Sequence, residues 1–370
     1  MKRTTEELFA VTAPGLEEVC AGELSALGME AVRAVPGGVE FSGGLREIYL
    51  ANLWLRTASR VVVRLGQVKA RDFPGLFQGG VRLPWGKFVR PGTRTRVRAA
   101  SHASRLGHTG RIAATLADAA DRALGRPGPP GDGPEQLVLA RFQDDLCTLS
   151  VDSSGELLHR RGYREEGASA PLRETLAAGI LLQLGWDGTR PLVDPMCGSG
   201  TFLVEAALIA GNRAPGARRV FAFQGWPRYR PGLWEALSTE AARAERNVEV
   251  ALRGSDSDPG AVAAASRNAA RAGVAQELEL AVADLSSLKP SPGPGLVLCN
   301  PPYGERLERD SDLRPLFRTL GQVYRQAFGG WRGALLCPDR RLAEATGLTL
   351  AKRAALVNGG IRVALFTARL

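Results

Sequence analysis

The stretch that decides the fold is Val193-Asp194-Pro195-Met196-Cys197-Gly198-Ser199-Gly200-Thr201-Phe202-Leu203-Val204-Glu205. The apolar Pro191, Leu192 and Val193 lead into an acid, then turn formers, then an apolar pattern of helical period through Phe202, Leu203, Ala206, Ala207 and Ile209. Strand, glycine turn and helix in that order open a binding site in an open α/β sheet. Glycines at 198 and 200 let backbone approach a ligand closely, and Asp194 stands at the carboxyl end of the strand. A plain tight turn is the competing reading of this stretch taken alone.

Two commoner glycine motifs are excluded. Leu203 stands where a dinucleotide fingerprint needs its third glycine, and Thr201-Phe202 follows Gly200 where a phosphate-cradling loop needs lysine. An acidic turn without lysine suits a cationic or zwitterionic ligand. S-adenosylmethionine is such a ligand.

Outward from this stretch, 370 residues predict two or three domains. No charged leader precedes an apolar run and no unbroken apolar stretch reaches about 18 residues, so a soluble, cytoplasmic protein is expected. Five scattered cysteines and three histidines show no metal-ligand spacing, so neither a disulfide framework nor a metal is expected. His102 and His108 read as solvated or RNA-facing. The net charge is +10, yet thirteen Lys or Arg between Arg56 and Arg111 meet one acid, Asp72, leaving the rest at −2. A basic patch confined to one segment is the footprint of a polyanion-binding surface, against the plainer reading of a solvated face.

Before the patch, strand 8–11, helix 16–27, hairpin 32–41, helix 45–55 and strand 60–68 spell a small α+β unit of ferredoxin-like order. Within the patch, Thr93 to Ala99 predicts a strand presenting Arg94, Arg96 and Arg98 on one face. A helix over 111–124 and a hairpin of 137–142 with 146–151, turning at Asp144-Asp145, follow. The basic strand, the Ser101 to His108 segment with Arg105, and the helix beginning at Arg111 resemble a THUMP domain, an RNA-binding module. That resemblance implies RNA contacts at Arg94, Arg96, Arg98, Arg105 and Arg111.

Past a basic connector, Arg160-Arg161-Gly162-Tyr163-Arg164, a helix is expected from about Pro171. Strands are expected at 192–193, 248–254, 278–282 and 295–299, a helix at 260–272, and a strand-rich tail at 334–337 and 355–368. Alternation of strand and helix implies a doubly wound, parallel sheet. Asp194, Asp256 and Asp284 then fall at three strand ends that line one crevice. In an S-adenosylmethionine site Asp256 would accept from the ribose hydroxyls. Asp284 would accept from the adenine amino group, beside the backbone of Leu285, and Asp194 would favour the cationic methionine end. Asp258-Pro259 reads instead as a helix cap.

Asn300-Pro301-Pro302-Tyr303 is the most specific motif. Its prolines stop a buried strand and stiffen the Asn300 side chain and the Pro301 carbonyl. Two such acceptors can orient the delocalised lone pair of an exocyclic amine toward an electrophilic methyl group, and Tyr303 can stack on the base.

These motifs, with Arg161 to Arg164, Ala170 to Ala178, the aromatic span from Phe221 to Trp226 with Trp234, and Asn358-Gly359, resemble the class I, THUMP-containing guanine-N2 methyltransferases of bacterial large-subunit ribosomal RNA. The resemblance implies a Rossmann-like methyltransferase domain at 156–370, behind a ferredoxin-like domain at 1–65 and a THUMP domain at 66–155. It implies cofactor contacts at Asp194, Cys197, Gly198, Gly200, Thr201, Asp256, Asp284 and Leu285, and guanine contacts at Asn300, Pro301 and Tyr303. Some members carry a second methyltransferase domain, so the form ending at Leu370 is expected to make one modification. A tRNA guanine-N2 enzyme, an adenine-N6 enzyme and a non-catalytic RNA-binding assembly factor are the alternatives, and a monomer and a dimer are both compatible with the sequence.

Overall fold

The computed structural model describes residues 5–125, 135–164, 172–289, 293–302 and 312–370. The chain forms two compact units. The first gathers residues 1–11, 21–158 and 219–239; the second gathers 12–20, 159–218 and 240–370.

The first unit is built on a seven-stranded sheet. Its elements are β1 (Glu6–Thr12), α1 (Glu17–Ala26), β2 (Glu30–Val35), β3 (Gly38–Gly43), α2 (Leu45–Trp54), β4 (Ala58–Lys69), α3 (Phe73–Val81), β5 (Arg94–His102), α4 (Thr109–Leu124), β6 (Glu135–Gln143) and β7 (Leu146–Asp152). The order is β2-β3-β1-β4-β7-β6-β5, so strands from 1–65 and from 66–155 share one sheet and the arginine strand β5 is an edge. The expected hairpin turns through Asp144 and Asp145, both at positive φ, the geometry of a type I′ turn. His108, expected to be solvated or RNA-facing, is the N-cap of α4, its Nδ1 accepting the Arg111 N–H at 3.0 Å. An imidazole acceptor does there what Ser or Asp usually does.

The span 219–239 completes this unit's core. Phe221, Phe223 and Trp226 are each at most 2% exposed. Phe223 stacks on Tyr49 with centroids 4.4 Å apart, Trp226 meets Phe88 edge-on at 5.0 Å, and the Trp226 indole N–H donates to Gln136 Oε1 at 2.8 Å.

The second unit holds α5 (Glu174–Gln183), β8 (Leu192–Asp194), α6 (Thr201–Ala210), the last turn of α7 (Pro231–Arg243, whose residues 231–239 belong to the first unit), β9 (Leu252–Asp256), α8 (Pro259–Ala272), β10 (Leu278–Val282), β11 (Leu296–Cys299), α9 (Arg314–Ala327), β12 (Arg332–Cys337), α10 (Arg340–Ala345), β13 (Ala351–Asn358) and β14 (Ile361–Arg369). The sheet order is β10-β9-β8-β11-β12-β14-β13, parallel from β10 to β12, with β14 antiparallel to both neighbours. Alternate residues feed two cores. Leu192, Leu298, Leu336 and Leu365 join the α5, α6 and α8 side, while Val193, Val297, Cys299, Leu335 and Phe366 join the α9 and α10 side. Burial on both faces is why these strands read as continuous apolar runs.

Two expectations shift. β9 begins at Leu252 rather than Val248; Val248 and Val250 still pack on the core without strand pairing, and apolar alternation alone does not distinguish the two. The connecting helix starts at Glu174, and Ala170 and Pro171 lie outside the described residues. Among the described residues, no helix is long and apolar enough to cross a membrane.

Candidate active site

Strand order reverses between β8 and β11, one leading to β9 and the other to β12. At such a switch point the carboxyl ends of the strands leave a crevice. Asp194 ends β8, and Asn300 immediately follows β11. An open pocket lies here, lined by Leu172, Asp194, Met196, Cys197, Gly198, Ser199, Thr201, Phe202 and Asn300.

The glycine turn is built by two glycines with different duties. Gly198 has φ +51° and an added Cβ would meet nothing within 4 Å. Gly200 has φ +78° and caps α6 in the left-handed region, where a Cβ would come within 2.9 Å of the Ala265 methyl on α8. Gly198 is thus required by conformation beside open space, Gly200 by conformation and by helix packing. Neighbouring strand ends tie the turn down: Cys197 N–H donates to the Ser255 carbonyl at 2.9 Å and Gly198 N–H to Asp256 Oδ2 at 2.9 Å.

The acids differ in state. Asp194 is 2% exposed and accepts the Met196 N–H at 3.2 Å; burial, with the nearby Asp256 charge, pushes its carboxyl up to about 8. Asp256 accepts from Gly198 N–H through Oδ2 and from Asp258 N–H at 3.0 Å through Oδ1. Asp258 caps α8 by accepting the Gly260 N–H at 2.8 Å, as the Asp-Pro pair predicts. Asp284, two residues past β10, accepts the Ser286 N–H at 2.8 Å and hydroxyl at 2.6 Å, bonds that hold its carboxyl below the usual carboxylate range. Leu285 is buried behind it. The fold therefore brings Asp194, Cys197, Gly198, Thr201 and Asn300 to one pocket. Asp256 joins through the turn, and Asp284 and Leu285 stand outside the pocket wall, two strands along.

Cys197 is buried and its thiol is pushed up by burial and by the charges of Asp194 and Asp256, so it is no nucleophile. Asn300 Oδ1 is buried and accepts no hydrogen bond among the described residues. A buried acceptor without a donor is costly unless a ligand supplies one. Pro301 is buried beside it, and Tyr303 lies outside the described residues. Among the described residues, no group of His, Cys, Asp and Glu side chains is arranged to hold a metal ion.

On the first unit, Arg94, Arg96 and Arg98 are exposed on one face of β5 as expected. Arg94 and Arg96 both pair with Glu135 on the neighbouring strand, an acid outside the basic segment that the charge count does not reveal. Arg98 makes no ion pair among the described residues. Arg105 N–H donates to Asp145 at 2.7 Å, and the Arg111 guanidinium lies 4.0 Å from the Phe73 ring centroid.

Residues 161–365 match the family model described as RMKL-like, methyltransferase domain, and residues 7–62 match the RlmL ferredoxin-like domain. The chain belongs to the RMKL-like methyltransferase family. A putative RNA methyltransferase of Synechocystis is 34% identical over 97% of this chain and 95% of its own length. The ribosomal RNA large subunit methyltransferase K/L of Methylococcus capsulatus is 36% identical over 98% of this chain, which spans 51% of that protein. A putative methyltransferase solved as a complex with SAH superposes with a TM-score of 0.91 at 33% identity, covering 100% of this chain and 99% of that one. The chain has the class I methyltransferase fold and, as a member of this family, depends on S-adenosylmethionine.

Proposed function

We propose that the protein transfers a methyl group from S-adenosylmethionine to the exocyclic N2 of a guanine in large-subunit ribosomal RNA, in the cytoplasm. The observation that carries the reading is Asn300 Oδ1, a buried acceptor without a donor among the described residues, lining the pocket that Asp194 and the glycine turn form. The cofactor supplies an electrophilic methyl group on a sulfonium. Asn300 Oδ1 and the Pro301 carbonyl accept the two N–H groups of the guanine amine and turn its lone pair toward that methyl. Bound there, the cofactor would give up its methyl to the amine nitrogen and leave as the neutral thioether, and the amine's extra proton would pass to water. Tyr303 stacks on the base.

The residues fit the cofactor. Gly198 leaves space where a side chain would intrude, and Asp194 in its ionised form receives the cationic amino end. Gly200, Thr201 and Cys197 shape the wall, while Asp256 and Asp284 with Leu285 take the ribose and the adenine. Residues 1–65, 66–155 and 156–370 are assigned as ferredoxin-like, THUMP-type RNA-binding and methyltransferase parts. Arg94, Arg96, Arg98, Arg105 and Arg111 contact RNA phosphate, with Arg98 contributing most because Glu135 already offsets Arg94 and Arg96. RNA as substrate is supported by the names of the Synechocystis and Methylococcus relatives.

A second reading has one observation behind it: a Listeria monocytogenes relative, 32% identical over 98% of this chain and 96% of its own, with a TM-score of 0.89, is named a predicted N6-adenine-specific DNA methylase. Incubation with labelled cofactor and separate pools of ribosomal RNA, tRNA and DNA, followed by digestion to nucleosides, decides. N2-methylguanosine from ribosomal RNA is expected. Label in N6-methyladenosine overturns the target base, and absence of cofactor binding leaves only a non-catalytic RNA-binding factor.

A further inference from the structure

The connector Arg161-Gly162-Tyr163-Arg164 has no part in the chemistry above, yet it grips the glycine turn from two sides. Thr201 and Glu205 lie one helical turn apart on the same face of α6, and that face carries the connector. Tyr163 hydroxyl donates to Glu205 Oε1 at 3.2 Å, with Arg161 Nε 3.5 Å from the same oxygen. Arg164 reaches the pocket wall itself: its Nη2 donates to the Thr201 hydroxyl at 2.8 Å and to the Leu172 carbonyl at 2.9 Å, and Nε lies 3.3 Å from Glu174. On the other side, Arg271 Nε donates to the Tyr163 carbonyl at 2.7 Å and its Nη2 to Asn268 Oδ1 at 3.0 Å; Asn268 then donates to the Ser199 carbonyl at 2.9 Å. Leu172, Ser199 and Thr201 all line the cofactor pocket.

Stability does not explain Arg164. A guanidinium at the first turn of a helix opposes the helix dipole, and this one needs the buried Glu174, 3% exposed, as counter-charge. Glu174 Oε2 has no hydrogen-bond partner among the described residues. Well-packed apolar side chains in place of such a pair are often neutral or stabilising. What the pair supplies is a planar donor that fixes a hydroxyl and a carbonyl, two walls of one pocket, in a single geometry.

We propose that Arg164 is a positioning residue for the cofactor pocket, setting Thr201 and Leu172 against the glycine turn without touching the cofactor. The inference rests on the reading of this pocket as the cofactor site. The test is isothermal titration of the full chain with S-adenosylhomocysteine. Arg164→Met is expected to raise Kd at least tenfold and Thr201→Val about threefold, with the double variant no worse than Arg164→Met alone, because one interaction is removed twice. Arg164→Lys is expected to recover only part of the loss, since an ammonium lacks the fork. Arg164→Met with Glu174→Gln removes both charges and preserves the fold, which thermal unfolding checks; its Kd is expected to stay about tenfold raised. Kd values for that pair within twofold of wild type, or effects of Arg164→Met and Thr201→Val that multiply, overturn the inference. Wild-type binding weakened by Asp256→Asn but unmoved by every Arg164 variant overturns it alone. No binding by the wild type overturns the pocket reading and the inference with it.

Discussion

Replacing each glycine of the turn by alanine separates what the fold requires from what the ligand requires. At Gly198, φ +51° and an open surrounding leave backbone strain as the only folding penalty, about 1–2 kcal/mol for a left-handed non-glycine residue. At Gly200 the same strain applies at φ +78°, and the new methyl also meets the Ala265 methyl at 2.9 Å. Overpacking of that kind adds about 1–3 kcal/mol. At about 2–4 °C per kcal/mol for a unit of this size, Gly200→Ala should melt roughly 2–12 °C below Gly198→Ala. Cofactor affinity should rank the other way. Gly198 lines the pocket, so with a methyl there S-adenosylhomocysteine binding should weaken by tenfold or more while the fold survives. Differential scanning fluorimetry and titration calorimetry read the two orders. The same ranking in both assays, or a Gly200→Ala protein as stable as Gly198→Ala, refutes the division of labour.

Asn300→Ala should lower methyl transfer by about 10²–10³, the scale of losing one preorganised partner, with S-adenosylhomocysteine Kd within about twofold; an equal loss in both would make Asn300 a cofactor ligand instead. Asp194 makes the protein pH-sensitive. Its carboxyl rises from 3.8 to about 8 on folding, so between those values the unfolded chain has released a proton that the folded chain keeps, and the cofactor-free protein loses stability as pH climbs through that window. Receiving a cationic amino group then requires ionisation, so S-adenosylhomocysteine binding at pH 6.5 should expel about one proton, seen as a buffer-dependent enthalpy; binding without proton release contradicts this. Trp226→Ala should cost about 3–5 kcal/mol by emptying the site against Phe88 and leaving Gln136 Oε1 without its indole donor. Chemical denaturation of the full chain would show this as an early first transition, and an unshifted one would mean that the span is a surface decoration.

Much of this was legible because local chemistry and global fold agree at the decisive places. Asp194 to Thr201 could only be strand, turn and helix. Asp258-Pro259 could only cap, and Asn300-Pro301-Pro302 could only end a strand. What escaped was non-local. Asp284 looks like Asp256 in sequence, but its carboxylate is engaged by Ser286, whereas that of Asp256 holds the Gly198 N–H of the glycine turn. Glu135 lies twenty-four residues beyond Arg111 and still meets Arg94 and Arg96, because β5 and β6 pair in parallel from Arg94 opposite Glu135. Helices α3 and α10, of nine and six residues, are too short for their apolar spacing to stand out. That the aromatic span completes the first unit's core is invisible in a string where it sits between α6 and β9 of the second.

That exchange of segments constrains how the molecule can be divided, by experiment or by evolution. Leu16 lies in the second unit's core against Gly179, and Phe223 in the first unit's core against Tyr49. A cut at 158/159 strands both. The carboxyl-terminal piece would carry an orphaned aromatic flap and a hole where Leu16 belongs, and the amino-terminal piece the reverse. Exchanging the first unit for another domain therefore means replacing the flap as well.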